Sequence, residues 1–391
     1  MQNRDRAILL AAMLVTFVTG SIHCFSVFLT PFEVLLELPR ANISLFYSFA
    51  LVFLTVSVLF GYQIYDRAKP ATLIVLACTS AGMGLVISAQ ASNWWSVFVG
   101  YSVLFGTANG IAYGYVLQLV GRAMPDHRGF AMAAVTAAYA VGSVVFSLLL
   151  AWRVESTSLS SALVNMGIIV ISGGILSAII MKKSGVSYNL TDPASEPISA
   201  TQQPQKSMIT LLWVAYGCAV LAGLMAIGHA AGIIQSLGGE YSIAIWGAVF
   251  IGIGSTIGGF FIGFVIHSRN MHKWLIRLPL LSALSLGLLT LTSNAITAIA
   301  ILSIIGFSYG AVISVYPFTI SELFGNQSGP KIYGRVFTAW GFAGLAGPWL
   351  AGKLFDLNGQ YLVALILASG FAVVSCLVYY WITRQIKLQN Q

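Results

Sequence analysis

Charge is what this sequence has least of. Only 8% of its 391 residues are Asp, Glu, Lys or Arg and 58% are hydrophobic, whereas an ordinary soluble domain is about 25% charged. Such a chain cannot cover itself with a water-soluble surface. None of its 11 Asp and Glu falls in the middle of an apolar run, so it lacks the buried carboxylate with which exporters of cationic compounds attract their cargo. Its four cysteines, Cys24, Cys78, Cys218 and Cys376, lie in four separate apolar runs with no C-x-x-C or Cys/His cluster. That pattern points to neither a disulfide framework nor a metal site. No Ser/His/Asp set or pair of carboxylates suggests a hydrolase, and the glycines from Gly252 to Gly263 follow no strand and precede no Lys-Ser/Thr pair. They read as small residues for close helix contact in lipid. No enzyme activity and no cofactor is expected. The formal net charge of +8 does not indicate nucleic acid either, because the Lys and Arg are scattered singly and in pairs between apolar runs.

What is present is a series of continuous apolar runs. A helix needs about 20 such residues to cross about 30 Å of hydrocarbon, and runs this long and unalternating exclude a spanning sheet. Twelve spans are predicted, at about 7–30, 43–65, 71–90, 95–120, 129–151 and 160–181, then 208–232, 242–266, 273–292, 296–318, 333–352 and 360–382. Arg4 and Arg6 before the first run resemble a signal peptide, yet the run reaches about Leu29 without a small-residue cleavage site, so it is read as a retained span. With the N-terminus inside, all of the 19 Lys and Arg except Arg40, Arg153 and Lys353 fall in cytoplasmic segments. This positive-inside bias supports a count of twelve and puts both termini in the cytoplasm. The expected division is 1–181 as an N-terminal six-helix bundle, 182–207 as a polar cytoplasmic linker and 208–391 as a C-terminal six-helix bundle. The linker cannot form a core, and its Asn189-Leu-Thr191 sequon carries no meaning on that side of the membrane.

The two halves echo each other. Gly61-Tyr-Gln-Ile-Tyr-Asp66-Arg67 returns as Gly263-Phe-Val-Ile-His-Ser268-Arg269, Gly106 and Gly110 return as Gly306 and Gly310, Gly129 and Gly142 as Gly334 and Gly347, and His23 as His229. Ordered landmarks at a nearly constant offset indicate duplication, so the fold class is an all-α membrane protein of two pseudo-symmetric six-helix bundles. His23 and His229 are the ionisable groups at depth; such residues often mark a pathway, and the two readings are a histidine that relays a proton or hydrogen-bonds an anion and a neutral imidazole that donates to a backbone carbonyl in helix packing. Tyr113, Tyr139, Tyr309, Tyr316 and Trp340 are candidates to line a central cavity, although aromatics at depth also serve packing. Asp66 is either a solvated loop charge or an acceptor for N–H groups at the start of another helix, a contact that latches bundles in one state and releases them in another.

Twelve spans split six and six, with Gly61-x-x-x-x-Asp66-Arg67 after the second, resemble the major facilitator superfamily. More narrowly, four stretches resemble its oxalate:formate antiporter and monocarboxylate transporter branch: Gly20-Ser-Ile-His-Cys-Phe-Ser-Val-Phe-Leu-Thr-Pro31, Gly110-Ile-Ala-Tyr113, Met124-Pro-Asp-His-Arg-Gly129, and the run from Glu322-Leu-Phe-Gly325 through Tyr333-Gly334 and Gly347-Pro348 to Ala351-Gly-Lys-Leu-Phe-Asp356-Leu-Asn-Gly359-Gln-Tyr361. The resemblance implies alternating access about a central site between two rocking bundles, working as a monomer. It implies Asp66 and Arg67 as a cytoplasmic gate motif, with Arg269 in the second copy, where Ser268 replaces the acidic partner. His23 falls at a substrate-facing aromatic position and Tyr113 matches another. The basic residues with which oxalate carriers of the branch hold their dianion fall near Gly259 and at Trp340, so oxalate is not the expected cargo. The leading expectation is a secondary transporter of the inner membrane for a monocarboxylate or similar weak acid. Its polar end would meet His23, Tyr113 and His229, with Tyr309 and Trp340 beside it, and coupling would be proton symport through a histidine or anion exchange. The alternatives are export of a larger neutral or amphipathic metabolite, siderophore- or drug-like, and a membrane receptor that does not transport.

Overall fold

A computed structural model describes residues 3–65, 67–90, 92–124, 127–156, 158–188, 206–266 and 270–389, and among them there are helices and short connections but no strand. The first apolar run forms α1 (Asn3–Thr19), a tight 3-10 turn at Gly20–Cys24 and α2 (Phe25–Leu36). The first half continues with α3 (Arg40–Tyr65), α4 (Pro70–Ala89), α5 (Trp94–Val97) leading through a wide π turn at Phe98–Phe105 into α6 (Gly106–Ala123), then α7 (Arg128–Ser156) and α8 (Leu159–Ser184). The second half holds α9 (Lys206–Gly228), α10 (Ala230–Ser236), α11 (Tyr241–Val265), α12 (Met271–Leu289), α13 (Ala295–Asn358) and α14 (Leu362–Gln389). Of the expected linker, 189–205 lies outside the described residues.

Among the described residues, ten helices are long and apolar enough to cross a membrane. The ninth and eleventh expected spans are helical but more polar, because α12 carries His272, Lys273 and Arg277 and the second arm of α13 carries Arg335 and Pro348 among glycines. The tenth and eleventh spans are not separate helices: helical backbone runs unbroken through their connection. At about 1.5 Å per residue, α13 as a straight rod would be about 96 Å long. It instead folds back, since Trp340 on its second arm hydrogen-bonds Tyr309 on its first. Leu10, Phe264, Leu291 and many other large apolar side chains are exposed on the outer faces, where lipid replaces water as the solvent.

The duplicated glycines explain how each half is packed. A Cβ on Gly106 or Gly110 of α6 would strike the backbone of Ala50 and Leu54 on α3, and a Cβ on Gly306 or Gly310 of α13 would strike Ile251 and Ser255 on α11. Gly142 of α7 abuts Phe17 of α1, while Gly347 of α13 abuts Leu221 of α9. Fourth span meets second, tenth meets eighth, fifth meets first and eleventh meets seventh. Small residues at these crossings let backbones approach closely where no hydrophobic effect drives association, and the same crossings recur in both halves.

Candidate functional site

The central cavity is lined from both halves: His23, Tyr113, Thr136, Tyr139 and Ser143 from the first, and Ile227, Gly252, Ser255, Gly259, Tyr309, Ser314, Phe337 and Trp340 among those of the second. Among the described residues, none of those lining it is Lys, Arg, Asp or Glu. The centre of a water molecule can explore about 80 Å³ of it, room for roughly five to eight waters at about 10–15 Å³ each. That suits a small solute.

His23 reaches this space because the first span breaks at its middle. The tight turn at Gly20–Cys24 leaves carbonyls that an unbroken helix would satisfy, and neighbours take them up: the Asn109 amide donates to the Thr19 carbonyl, and the Tyr101 hydroxyl donates to the Ile22 carbonyl at 2.9 Å. Irregular backbone at membrane depth is tolerated where protein satisfies it in this way. The imidazole Nδ1 lies 2.6 Å from the Tyr47 hydroxyl, the hydrogen-bond partner of this side chain among the described residues, which leaves Nε2 without one. The ring stands edge-on to Tyr139, with centroids 5.4 Å apart, and to Trp340 at 6.5 Å.

The phenols around it differ in what their protons do. Tyr139 donates to Asn109 Oδ1 at 2.9 Å. Tyr113 faces Thr136 Oγ1 at 3.4 Å, and because the threonine hydroxyl already donates to the Met132 carbonyl, the tyrosine is the donor there. Tyr309 accepts the Trp340 indole N–H at 3.0 Å, and its own proton meets no acceptor among the described residues. Trp340 in turn stacks on Phe337, 5.4 Å away at 8°.

His229, grouped with His23 by its position in the repeat, is brought elsewhere. It too sits at a break, between α9 and α10, but it is fully buried and does not line the cavity. Nδ1 lies 2.9 Å from the Tyr361 hydroxyl, and Nε2 lies 2.7 Å from the Pro348 carbonyl and 3.3 Å from the Ser44 hydroxyl of the other half. His229, expected to meet cargo, has both ring nitrogens engaged by protein groups and touches the other half through Ser44.

That junction lies at the end of the bundle away from the termini. The Asp356 carboxylate, from the end of α13, accepts the backbone N–H groups of Arg40 at 3.2 Å and Ala41 at 2.9 Å, capping the start of α3. Arg40 forms a two-pronged pair with Glu33 at 2.6 and 2.7 Å, lies over the Phe355 ring at 4.1 Å and donates to Tyr361 at 3.0 Å. Thr30 donates to Gln235 at 3.1 Å, and Tyr241 donates at 3.2 Å to the Val27 carbonyl, whose usual helical donor is missing because Pro31 has no N–H. The capping chemistry expected of Asp66 is thus seen at Asp356, on the opposite end. Asp66 and Arg269 lie outside the described residues, and Arg67 is exposed just past α3. Sequence reasoning missed Tyr47 and Arg40. Arg40 had a signal, being one of three exceptions to the positive-inside bias, whereas Tyr47 had none.

The chain matches the Major Facilitator Superfamily model over residues 8–348 and belongs to that superfamily. It is 23% identical over 344 residues to the uncharacterized transporter YhjX of Escherichia coli K12, covering 86% of this chain and 85% of that protein. To the oxalate:formate antiporter of Oxalobacter formigenes it is 24% identical, covering 93% and 88%, and to monocarboxylate transporter 12 of Xenopus laevis 21%, covering 94% and 86%. Among solved structures it is similar to an inward-facing, unoccupied bacterial homologue of the human lysosomal transporter Spinster, with a TM-score of 0.73 at 16% identity over 98% of both chains. It is similar also to the xylose transporter XylE of E. coli in a partially occluded inward-open conformation, with a TM-score of 0.74 at 12% identity over 97% and 99%. This is a secondary transporter for a small molecule, embedded in lipid.

Proposed function

We propose that the chain carries a small monocarboxylate or similar weak acid across the cytoplasmic membrane by alternating access. One observation carries this reading: the cavity holds a free imidazole nitrogen on His23 and a free phenol proton on Tyr309, and no charged side chain. One carboxylate finds hydrogen bonds there, with its apolar part against Trp340 and Tyr113. A dianion would keep an unpaired charge in a low-dielectric site, at a cost of several kcal/mol. The relatives named as monocarboxylate and oxalate:formate carriers support the class of cargo.

In this reading the bundles 1–181 and 208–391 rock about the cavity on the 182–207 linker, in a monomer. The positive-inside bias supports an orientation in the inner membrane with both termini in the cytoplasm, in which the Asp356, Arg40 and His229 junction closes the outer end. Asp66, Arg67 and Arg269 then form the cytoplasmic gate. The test is uptake of labelled acetate and lactate into proteoliposomes, with and without an inward proton gradient. Uptake that rises with the gradient and falls in His23→Ala supports proton symport through the imidazole, whereas gradient-independent uptake that needs an internal acid supports exchange. If neither acid moves while a larger neutral solute does, the cargo is of the exported, siderophore- or drug-like kind. If a ligand binds but never accumulates, the chain acts as a receptor.

A further inference from the structure

We infer that Tyr47, which does not line the cavity, is a positioning residue that fixes which nitrogen of His23 carries the proton, and so makes the cavity a site for hydrogen-bond acceptors. The inference rests on the proposed transport of a weak acid and names the group that selects it.

Neutral imidazole has one N–H donor and one bare acceptor nitrogen, and its neighbours decide which is which. Tyr47 is fully buried on α3, and the partner of its hydroxyl is His23 Nδ1 at 2.6 Å. If Nδ1 carried the proton and donated to Tyr47, the phenol's own hydrogen would be buried with no acceptor among the described residues, which buried hydroxyls avoid. If the phenol donates to Nδ1, both groups are satisfied and the proton must sit on Nε2. Phe25 stacks on Tyr47 with centroids 5.5 Å apart at 6°, holding the phenol where it can donate. The free face of His23 therefore offers N–H rather than a lone pair. The same logic holds beside it: Trp340 donates to Tyr309, so the tyrosine offers O–H. Two donors meeting a cargo favour a carboxylate or carbonyl and disfavour an ammonium group.

The direct test needs no substrate. Nitrogen-15 NMR of histidine-labelled protein in nanodiscs, with the His23 signals assigned by their loss in His23→Gln, is expected to show bare Nδ1 and protonated Nε2. In Tyr47→Phe the two forms are expected to mix. Protonated Nδ1 in the unaltered protein would overturn the inference, whether or not any acid is transported. For function, Tyr47→Phe is expected to raise the KM for lactate uptake by roughly two- to tenfold, the worth of one net hydrogen bond, with the maximal rate changed less. In a His23→Ala background, where no tautomer is left to fix, Tyr47→Phe is expected to change little. Equal effects in both backgrounds would mean that Tyr47 acts through packing alone and would overturn its positioning role. Failure of the unaltered protein to take up lactate would count against the proposed cargo, and the NMR result would still decide the tautomer.

Discussion

The two intramembrane histidines occupy matching breaks in the first and seventh spans, yet their surroundings differ. His23 bonds a protein partner through one nitrogen and turns the other to the cavity. His229 has both nitrogens engaged, by Tyr361 on one side and by Pro348 and Ser44 on the other, and is fully buried. Duplication copied the residue and the break but not the surroundings. A buried polar group stays because its partners are there, and in the proposed function it is the count of free nitrogens, not depth in the membrane, that makes His23 rather than His229 the group for cargo.

This contrast is most strongly tested at His229. Replacing it with Leu removes the acceptor of the Tyr361 proton, at about 1–3 kcal/mol, and a donor to the Pro348 carbonyl, at about 0.5–1.5 kcal/mol, so the purified protein should lose about 1.5–4.5 kcal/mol of stability in thermal unfolding while the KM of surviving protein holds. A raised KM with no loss of stability would erase the distinction. His23→Ala should shift the balance toward binding: loss of a hydrogen bond to a carboxylate, about 1.5–3 kcal/mol, weakens lactate binding by roughly ten- to 150-fold, while stability falls only by the cost of the one Tyr47 hydroxyl left without its acceptor, about 1–3 kcal/mol. Next in size is Asp356→Asn, which removes a charged cap shared between the halves, worth about 0.5–2 kcal/mol. Spin labels at Thr30→Cys and Gln235→Cys should report a larger separated population, and an unchanged distance distribution would remove Asp356 from the latch. The smallest effect is expected from Trp340→Phe. It keeps the stack on Phe337 but loses the N–H to Tyr309, weakening lactate binding by roughly two- to tenfold.

The sequence carried the architecture because lipid imposes it: run length, charge bias and the glycines at helix crossings are all local marks of a membrane bundle. His23, Tyr113, Tyr309 and Trp340 were legible as candidates, and all four line the cavity. His229 misled because repeat position fixes a place along a helix and says nothing of what packs against it. Tyr47 was out of reach for the same reason, and Arg40 showed only as a breach of the charge bias: their partners lie 24 and 316 residues away in sequence, and only the folded bundle brings them together. The unbroken α13 shows a related blind spot, since a connection with helical backbone still reverses direction.

The central claim is that an uncharged, donor-lined cavity admits a cargo with one weak acid group. Its most direct test is competition in proteoliposomes, with labelled lactate uptake challenged by unlabelled acetate and by oxalate at a pH where oxalate carries two charges. Acetate should displace lactate, and oxalate should not. Equal competition by oxalate would contradict the account.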